Sequence, residues 1–486
     1  MKLAELLSDL TVCDIDLDIT GLTLDSRDVR AGDAFFALNG ASRHGMNFAA
    51  QAIANGAKAV IYDPIGWHEL FDSTLSVAQF AINSLDRHLG MLAARFYGNP
   101  SRHLTTIGIT GTNGKTTCSQ LIAQALTDCG VIGTIGWGEP GKLSPTQNTT
   151  PDALMIQKLL HIFVEQQKKA VAMEVSSHGL ELGRVNAVEF GGAVFTNLSR
   201  DHLDYHGGME EYFQAKLALF TNSALKFAVV NLDDLHSSAV LQALAGNVQR
   251  WTFSTKGQVD RGAESIIAEN ICYSSTGITF DVVWRNWKVS AYTPLVGAFN
   301  LENVLAVLCV LLAMDYPFTE VITRIADLQP IVGRMEKFGG NEKPTVFVDY
   351  AHSPDSLDKA LQAVKGNGLL LVVFGCGGDR DKGKRQEMGR IAETLADQVF
   401  ITDDNPRGET SAEIIDDILS GCRKQNITVI NDRKSAINTA IQQAKKRDVV
   451  LIAGKGHENY QEIKGIKFPF SDQEVVKQSL ALWGVN

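Results

Sequence analysis

The chain has 486 residues, 45% of them hydrophobic and 21% charged, and this composition predicts a globular protein rather than a disordered one. Its formal net charge of -10 at pH 7 argues against a broad nucleic-acid interface, because such an interface needs an excess of lysine and arginine. The longest apolar run, 304–314, is too short to cross a bilayer.

The cysteines and the N-terminal residues indicate a reducing compartment. The seven cysteines are scattered and lack CxxC spacing, which indicates free thiols rather than a disulfide or zinc framework. The first residues contain no apolar core of a signal peptide. The simplest expectation is therefore a cytoplasmic protein. We also expect a monomer, with no nucleic acid and no membrane among its partners.

The order of strand-like and helix-like stretches predicts an α/β fold with three domains. Residues 1–98 contain short strand candidates but no nucleotide loop, so we expect a small N-terminal α/β domain that binds a substrate. Residues 99–330 alternate between apolar strands and helices, which is typical of a largely parallel sheet in a central P-loop domain. Within it, the β-branched and aromatic segment 247–296 predicts an antiparallel appendage. The alternation resumes over 331–486 and predicts a C-terminal Rossmann-like α/β domain that binds the amino acid.

Individual elements are predicted from the apolar runs. Helical patterns begin at Thr116 and cover 209–220. The main strand candidates are 34–38, 104–110, 171–175, 193–196, 278–284, 345–349, 369–374, 398–402 and 449–453.

The most specific local pattern is a glycine-rich loop between a strand and a helix. It reads Gly111, Thr112, Asn113, Gly114, Lys115, Thr116 and Thr117. Such a loop can direct backbone N–H groups at phosphate oxygens, while the lysine neutralises the β/γ charge and a threonine hydroxyl holds Mg²⁺. The strict GxxxxGK[ST] pattern is not met, because its first position falls on Ile109. A simple turn with a solvated lysine is the alternative.

Several further motifs occur in the same order as in a known family. They are 110–117, 174–178 (EVSSH), 196–206 (TNLSRDHLDYH), 297–303 (GAFNLEN), 333–336 (GRME) and 349–352 (DYAH). With them, nearly the whole chain resembles the Mur ligase family. The resemblance implies an ATP-dependent amide-forming ligase of peptidoglycan precursor synthesis, and hence a role in cell-wall biogenesis, cell shape and cell division. More narrowly, it implies addition of meso-2,6-diaminopimelate to the D-glutamyl γ-carboxyl of UDP-N-acetylmuramoyl-L-alanyl-D-glutamate.

The implied chemistry agrees with the residue types present. Phosphorylating a carboxylate gives an acyl phosphate, which an amine can attack without any protein nucleophile. Positioning and charge neutralisation must then carry most of the catalysis. The resemblance implies Lys115, Glu174, His202 and Lys216 as catalytic residues.

The resemblance also implies the cofactors ATP and Mg²⁺. Thr116, Glu174, His202 and Lys216 would contact the metal directly or through water, with Lys216 carbamylated by CO₂ because a carbamate offers oxygen ligands that an ammonium lacks. A helix cap for Glu174, a loop histidine for His202 and a solvated lysine for Lys216 are the alternatives. Further ATP contacts are implied for Asn300, Asn303, Arg334 and Asp349, where helix capping is the alternative for both asparagines.

The substrate residues are likewise implied by matching positions. For the uridine diphosphate end they are Leu24, Ser26, Ala41, Ser42 and Arg43, although arginines in this segment could equally be surface charge. For the muramoyl dipeptide they are Thr149, Thr150, Ser176 and Arg184, since hydroxyls and a guanidinium suit carboxylates and phosphates. The chain departs from the family at Leu182, where glutamine is common.

A last group of residues resembles a pocket for diaminopimelate. It comprises Arg380, Asp404, Asn405, Pro406, Arg407, Gly454 and Glu458. Arg407 could bind the distal carboxylate in bidentate fashion and Glu458 could pair with the distal ammonium, whereas lysine would place an unpaired ammonium against Arg407. An ordinary turn after a strand is the alternative for 404–407.

Three rival functions stay open from the sequence. A lysine-adding relative shares most motifs, and folylpolyglutamate synthase shares the phosphate loop but not the 404–407 segment. A nucleotide-binding regulator without catalysis would be expected to have lost metal or acceptor positions, yet Glu174, Lys216, His202 and Arg407 are all present.

Overall fold

The computed structural model describes residues 1–40, 42–67, 76–423 and 426–484. The chain divides into two compact units, each built from several segments. The first unit comprises Met1–Gly108, Thr127–Ala193 and Thr221–Lys226. The second comprises Ile109–Leu126, Val194–Phe220 and Phe227–Asn486. Both units combine helices with mainly parallel strands, as the predicted α/β class requires.

The first unit begins with a four-stranded parallel sheet. Its strands are adjacent in chain order: Gly21–Thr23, Asp33–Ala37, Ala59–Tyr62 and Ala78–Ala81. Successive side chains of a strand point to opposite faces. Accordingly Phe36 and Ile61 lie in one apolar cluster, and Phe35 and Val60 lie in another.

A second group of strands in the first unit includes the strand that ends at Glu174. Cys129–Ile132 pairs in parallel with Ala170–Glu174 and antiparallel with Trp137–Glu139, which pairs with Lys142–Ser144. The helices of this unit are Leu3–Leu6, Ala49–Ala54, Leu85–Phe96, Ala153–Glu165 and Ser177–Glu181. Two strands, Thr105–Thr110 and Phe190–Phe195, begin in the first unit and end in the second.

In the second unit, three parallel strands lead into an antiparallel ribbon. Phe227–Asn231, Gln249–Ser254 and Glu264–Ser274 pair in parallel, and Gly277–Trp284 and Trp287–Thr293 follow antiparallel. The predicted antiparallel appendage is thus confirmed from residue 264 onward. Strand Gln249–Ser254 lies within the predicted appendage but is parallel to Phe227–Asn231. Helix Ser237–Ala243 connects the two strands and carries the chain back to the end of the sheet at which the first strand begins.

The remainder of the second unit contains a six-stranded sheet covered on both faces. One cluster includes Val372 and Leu451, and another includes Val373 and Val450, as expected for strands buried on both sides. Pairing is parallel except at the first edge. In spatial order the strands are Glu336–Gly339, Thr345–Asp349, Val449–Ala453, Leu370–Phe374, Gln398–Ile401 and Ile427–Val429.

Local sequence signals account for where a helix of the second unit begins. Pro354 opens one of them beside a capping box at Ser353, an arrangement that satisfies otherwise unpaired N–H groups. Within the described ranges, no helix has the length and apolar character needed to cross a membrane. The helices are Lys115–Ala125, Leu203–His206, Met209–Leu217, Ser237–Ala243, Ala298–Ala313, Phe318–Ala326, Pro354–Val364, Gly383–Leu395, Ser411–Leu419, Arg433–Gln443 and Asp472–Leu482, and a two-stranded ribbon, Tyr460–Ile463 with Ile466–Pro469, precedes the last.

Candidate active site

The glycine-rich loop joins strand Thr105–Thr110 to helix Lys115–Ala125, as its sequence predicts. Gly111 and Gly114 have φ values of 149° and 86°, a region that other residues rarely adopt. A Cβ on Gly114 would lie 2.6 Å from Asn303 Oδ1. The glycines therefore let neighbouring groups approach the loop backbone closely, and the helix N-terminus behind it favours anions.

Two lysine side-chain nitrogens meet at one carbonyl of this loop. Lys115 Nζ donates to the oxygens of Gly111 and Thr112 at 2.7 and 2.8 Å, and Lys216 Nζ donates to Gly111 O at 2.9 Å. The Lys216 side chain is buried, with its ammonium 4.3 Å from the centre of the Tyr212 ring. Burial lowers the pKa of Lys216 well below its ordinary value, and Lys115 acts in the same direction. A solvated lysine at position 216 is therefore wrong.

Arg334 reaches the loop from the segment that precedes the six-stranded sheet. Its Nη2 donates to Thr116 Oγ1 at 3.0 Å, and its guanidinium lies 4.4 Å from the Tyr350 ring centre. Its buried Nε has no hydrogen-bond partner among the described residues. Asp349 accepts from Met335 N at 2.8 Å and so holds the turn that carries Arg334. A guanidinium with an unused donor beside a phosphate loop suits the phosphates of ATP.

Asn300 and Asn303 are placed by helix Ala298–Ala313, but neither caps it. The N-cap is Gly297, which makes no side-chain cap bond. Asn300 Nδ2 instead donates to Val296 O at 2.8 Å, and Asn303 Nδ2 lies 3.2 Å from Asn300 Oδ1. The capping alternative is therefore wrong, and the buried pair lies against Gly114.

His202 occupies the turn before the short helix Leu203–His206 in a left-handed conformation, with φ of 54°. Its Nε2 is 3.4 Å from Asp201 Oδ2. Partial burial lowers the pKa of His202, and although Asp201 opposes this, the ammonium groups of Lys115 and Lys216 add to it. A neutral imidazole is the form that binds metal ions.

The described residues contain no ready-made group of three or more histidine, cysteine or acidic side chains able to hold a metal. Thr116, His202 and Lys216 nevertheless all belong to the second unit. Thr116 is part of the phosphate loop, Lys216 donates to Gly111 O within it, and His202 lies close enough to Lys115 for that charge to lower its pKa. A magnesium ion there would rely on a hydroxyl, an imidazole, phosphate oxygens and water. This donor set fits Mg²⁺ bound together with a nucleotide.

The sequence did not single out Asp355, which connects the loop to helix Pro354–Val364. Its Oδ2 accepts from Asn113 Nδ2 at 2.8 Å and lies 3.0 Å from Lys359 Nζ. Its place three residues after the 349–352 motif is the one signal that could have drawn attention to it.

In the first unit, Glu174 is fully buried at the end of strand Ala170–Glu174. Its carboxylate accepts from Thr134 N at 2.8 Å and from the Thr134 hydroxyl at 2.9 Å. Thr134 lies in a turn after strand Cys129–Ile132 and begins no helix, so a helix cap is not the reason for Glu174. Thr134 is a second residue that the sequence did not single out.

The predicted dipeptide residues meet around Thr150. The Thr150 hydroxyl donates to Glu174 O at 2.9 Å and accepts from Ser176 N at 2.9 Å. Arg184 Nη1 donates to Thr150 O at 2.8 Å, and Thr149 Oγ1 lies 3.0 Å from the Thr134 hydroxyl. Strand end, turn and helix therefore present one polar cluster, next to which Leu182 is exposed.

The predicted uridine diphosphate residues are spread over the first unit. Ser26 donates to Gln51 Oε1 at 2.9 Å, and Leu24 packs against an apolar cluster. Ser42 and Arg43 are exposed. Ala41, also predicted, lies outside the described residues.

The predicted acceptor residues come from three loops at one edge of the six-stranded sheet. Asn405 Nδ2 donates to Glu458 Oε2 at 2.9 Å. Lys455 Nζ donates to the same Glu458 oxygen at 3.0 Å and to Asn405 Oδ1 at 2.9 Å. The sequence predicts that Glu458 pairs with the acceptor's ammonium, but it does not single out Lys455, three residues earlier. Any ammonium bound by Glu458 must share it with this buried lysine.

Arg407 follows directly in the same segment and is held from two sides. Its Nη1 donates to Gly378 O at 2.9 Å, and its Nε lies 3.5 Å from Glu462 Oε2. Arg380 is exposed, whereas Asp404 and Pro406 are buried. A Cβ on Gly454 would lie 2.4 Å from Asp404 Oδ2, so this glycine permits a close approach of two loops.

Comparison with families of known proteins gives three successive matches. The family described as "Mur ligase family, catalytic domain" matches residues 18–97. "Mur ligase middle domain" matches residues 109–311, and "Mur ligase, glutamate ligase domain" matches residues 333–456.

Named relatives are similar over nearly their entire length. A UDP-N-acetylmuramoyl-L-alanyl-D-glutamate--2,6-diaminopimelate ligase of Pseudomonas aeruginosa is 47% identical over 97% of this chain and 96% of its own. A protein of the same name from Nitrosomonas europaea is 42% identical over 96% and 94%.

Solved structures give the same picture of the fold. One, titled as the structure of a UDP-N-acetylmuramoyl-L-alanyl-D-glutamate--2,6-diaminopimelate ligase, is 35% identical, with a TM-score of 0.68 over 99% of both chains. MurF ligase from Thermotoga maritima in complex with ADP is 18% identical, with a TM-score of 0.67 over 95% of this chain and 96% of its own. At that identity the second likeness concerns the fold alone.

Proposed function

The chain belongs to the Mur ligase family, and from that membership we propose that it adds meso-2,6-diaminopimelate to UDP-N-acetylmuramoyl-L-alanyl-D-glutamate with consumption of ATP. The observation that carries the proposal is the segment 404–407, which pairs Asn405 with the Glu458 carboxylate and presents the Arg407 guanidinium two residues later. An acceptor with both a distal ammonium and a distal carboxylate matches these two charges.

The residues around the loop suit transfer of a phosphoryl group to a carboxylate. The loop amides and Arg334 would hold the phosphates, and Lys115 would exchange its loop carbonyls for phosphate oxygens. Bound Mg²⁺ would neutralise phosphate charge, with Thr116, His202 and Lys216 as its contacts in the second unit. Glu174, in the first unit, stays a metal contact proposed from the family resemblance. The D-glutamyl γ-carboxyl would become an acyl phosphate that the acceptor amine attacks, releasing phosphate.

We also propose that Lys216 is carbamylated. Its amine is buried against Gly111 O and the Tyr212 ring, and burial, which lowers its pKa, favours the neutral form that can attack CO₂. The nitrogen bonds to the CO₂ carbon and one proton leaves, which gives a carbamate anion. We expect a carbamate signal in the ¹³C NMR spectrum of protein equilibrated with ¹³C-bicarbonate, and its loss in Lys216→Arg. A wild-type spectrum without that signal contradicts the assignment.

We propose the roles of the three domains from the same family resemblance. We assign 1–98 to the uridine diphosphate substrate, 99–330 to ATP and 331–486 to the amino acid. We further propose a monomer that acts in the cytoplasm on small molecules and requires neither nucleic acid nor membrane.

The deciding experiment is phosphate release by the purified protein with ATP and the UDP-linked dipeptide. We expect release with meso-diaminopimelate and much slower release with L-lysine, since lysine leaves Arg407 without a carboxylate. Arg407→Leu should raise the KM for diaminopimelate far more than the KM for ATP. Equal rates with both amines would disprove the selectivity for diaminopimelate. Faster release with L-lysine would favour the lysine-adding alternative, and no release with either amine would favour a regulator without catalysis.

A further inference from the structure

Arg385 is a fully buried arginine that no step of the proposed reaction uses. It lies on helix Gly383–Leu395. Its Nη1 donates to Glu409 Oε2 at 3.0 Å, and its Nη2 donates to Glu409 Oε1 at 2.8 Å. The same guanidinium donates to Gly377 O at 3.1 Å and to Asp417 Oδ2 at 2.9 Å. Bidentate contacts of this kind are strong and directional. One buried side chain thus bonds two loops at once, the one after strand Leu370–Phe374 and the one after strand Gln398–Ile401.

Two further hydrogen bonds join the same loops, and each loop supplies the donor of one bond and the acceptor of the other. Glu409 Oε1 accepts from Asp379 N at 2.6 Å, and Asp379 Oδ2 accepts from Gly408 N at 2.9 Å. Gly378 N also donates to Asn405 O at 2.9 Å. The loops are in such close contact that a Cβ on Gly378 would lie 1.8 Å from Pro406 O. Several specific hydrogen bonds therefore hold the two loops close together.

Arg407 lies between these contacts. It adopts a positive φ of 52°, and its Nη1 donates to Gly378 O, so its direction depends on where the 377–379 backbone lies. A charged group misplaced by about 1 Å loses most of a bidentate contact to a carboxylate. The contacts that fix the distance between the two loops therefore also fix the orientation of the Arg407 guanidinium.

We propose that Arg385 and Glu409 form a positioning pair that sets Arg407 for the distal carboxylate of the acceptor amino acid. The inference rests on the proposed function, because it takes Arg407 as the carboxylate-binding group. Neither member of the pair touches the acceptor. They act by holding the 377–379 backbone at a fixed distance from the 404–409 loop.

Asp417 provides a matched control within the same cluster. It accepts from the same Arg385 guanidinium, but from helix Ser411–Leu419 and with a side chain that is 45% exposed. If Arg385 served only to stabilise the domain, losing either carboxylate would lower the free energy of unfolding without changing the KM for the acceptor. If it serves to position Arg407, only the Glu409 bond matters for the acceptor.

The test compares Glu409→Gln, Asp417→Asn and Arg385→Lys in phosphate release, with the KM measured separately for each substrate. We expect Glu409→Gln to raise the KM for meso-diaminopimelate roughly tenfold or more, because a charge-assisted bond is lost. The KM for ATP should stay within about twofold, and Asp417→Asn should leave both constants within about twofold of wild type. Arg385→Lys keeps the positive charge but loses the bidentate guanidinium. Its KM for meso-diaminopimelate should therefore lie between those of wild type and Glu409→Gln.

A second readout needs no turnover. Amide hydrogen exchange at Asp379 and Gly408 should accelerate in Glu409→Gln and not in Asp417→Asn. Unchanged exchange overturns the proposal, and so does an unchanged KM for diaminopimelate in Glu409→Gln. A wild-type protein that releases no phosphate with diaminopimelate would instead disprove the proposed function, while the exchange experiment would still decide whether the pair holds the loops.

Discussion

Replacing Gly111 by alanine should damage the phosphate loop more than any other single methyl group added there. At φ of 149° an alanine is strained, and its Cβ would lie 1.9 Å from the Thr196 hydroxyl oxygen. That hydroxyl donates to Asn113 O at 2.6 Å, so moving it away breaks a contact inside the loop. The backbone of Asn197 lies 2.9 to 3.0 Å from the same Cβ and blocks a simple shift.

The size of the effect follows from these contacts. Strain of this kind costs about 1 to 3 kcal/mol. The lost hydroxyl bond adds about 1 kcal/mol. If the whole of this free-energy sum is lost from nucleotide binding, the affinity for the nucleotide falls roughly 30-fold to 1000-fold. Titration of a fluorescent ATP analogue would measure the change, and urea unfolding would show whether the fold survives.

Two variants separate the effect of backbone strain from the effect of the close contacts that the new Cβ makes. Gly257 has a φ of 77°, and no atom lies within 4 Å of the position that a Cβ would take, so Gly257→Ala should carry strain without altering nucleotide affinity. Thr196→Ala alone should cost about the 1 kcal/mol of the hydroxyl bond, and adding it to Gly111→Ala should cause little further loss of affinity, because that bond is already broken. Affinity within about twofold of wild type in Gly111→Ala would refute the close-approach argument.

Three other predictions address different parts of the protein. Thr150→Val should destabilise the first unit by about 1 to 3 kcal/mol in urea unfolding, because Glu174 O and Ser176 N lose a buried partner, whereas Thr149→Val should have a smaller effect. Arg334→Lys should raise the KM for ATP roughly tenfold and leave the KM for the acceptor unchanged, because lysine cannot contact Thr116 and phosphate together. The bonds from Arg385, together with Lys382 and the Asp379 N–H, lower the pKa of Glu409 from an ordinary 4.5 to about 2. The stabilisation by Glu409 is therefore complete above about pH 4.5 and is lost as the pH falls through 2. The stability difference between wild type and Glu409→Gln in acid unfolding should shrink over that window, and a constant difference would contradict the assignment.

Features that depend on neighbouring residues could be predicted from the sequence alone. Strand candidates such as 345–349 and 449–453 match the observed strands because runs of buried apolar side chains are a local pattern. The glycine-rich loop was recognised for the same reason, since strand, glycines and lysine are consecutive. The order of motifs also predicted the family, which the relatives confirm.

The partner of each polar group, in contrast, emerged only from the folded chain. Nothing local shows that Asn405 donates to Glu458, 53 residues later, or that the Glu174 carboxylate binds Thr134, 40 residues earlier. Helix capping was a reasonable expectation for Asn300, but the helix is capped by Gly297, and the Asn300 amide turns toward Val296. Buried charges must find partners wherever the packed chain offers them, and that choice depends on contacts between residues distant in sequence.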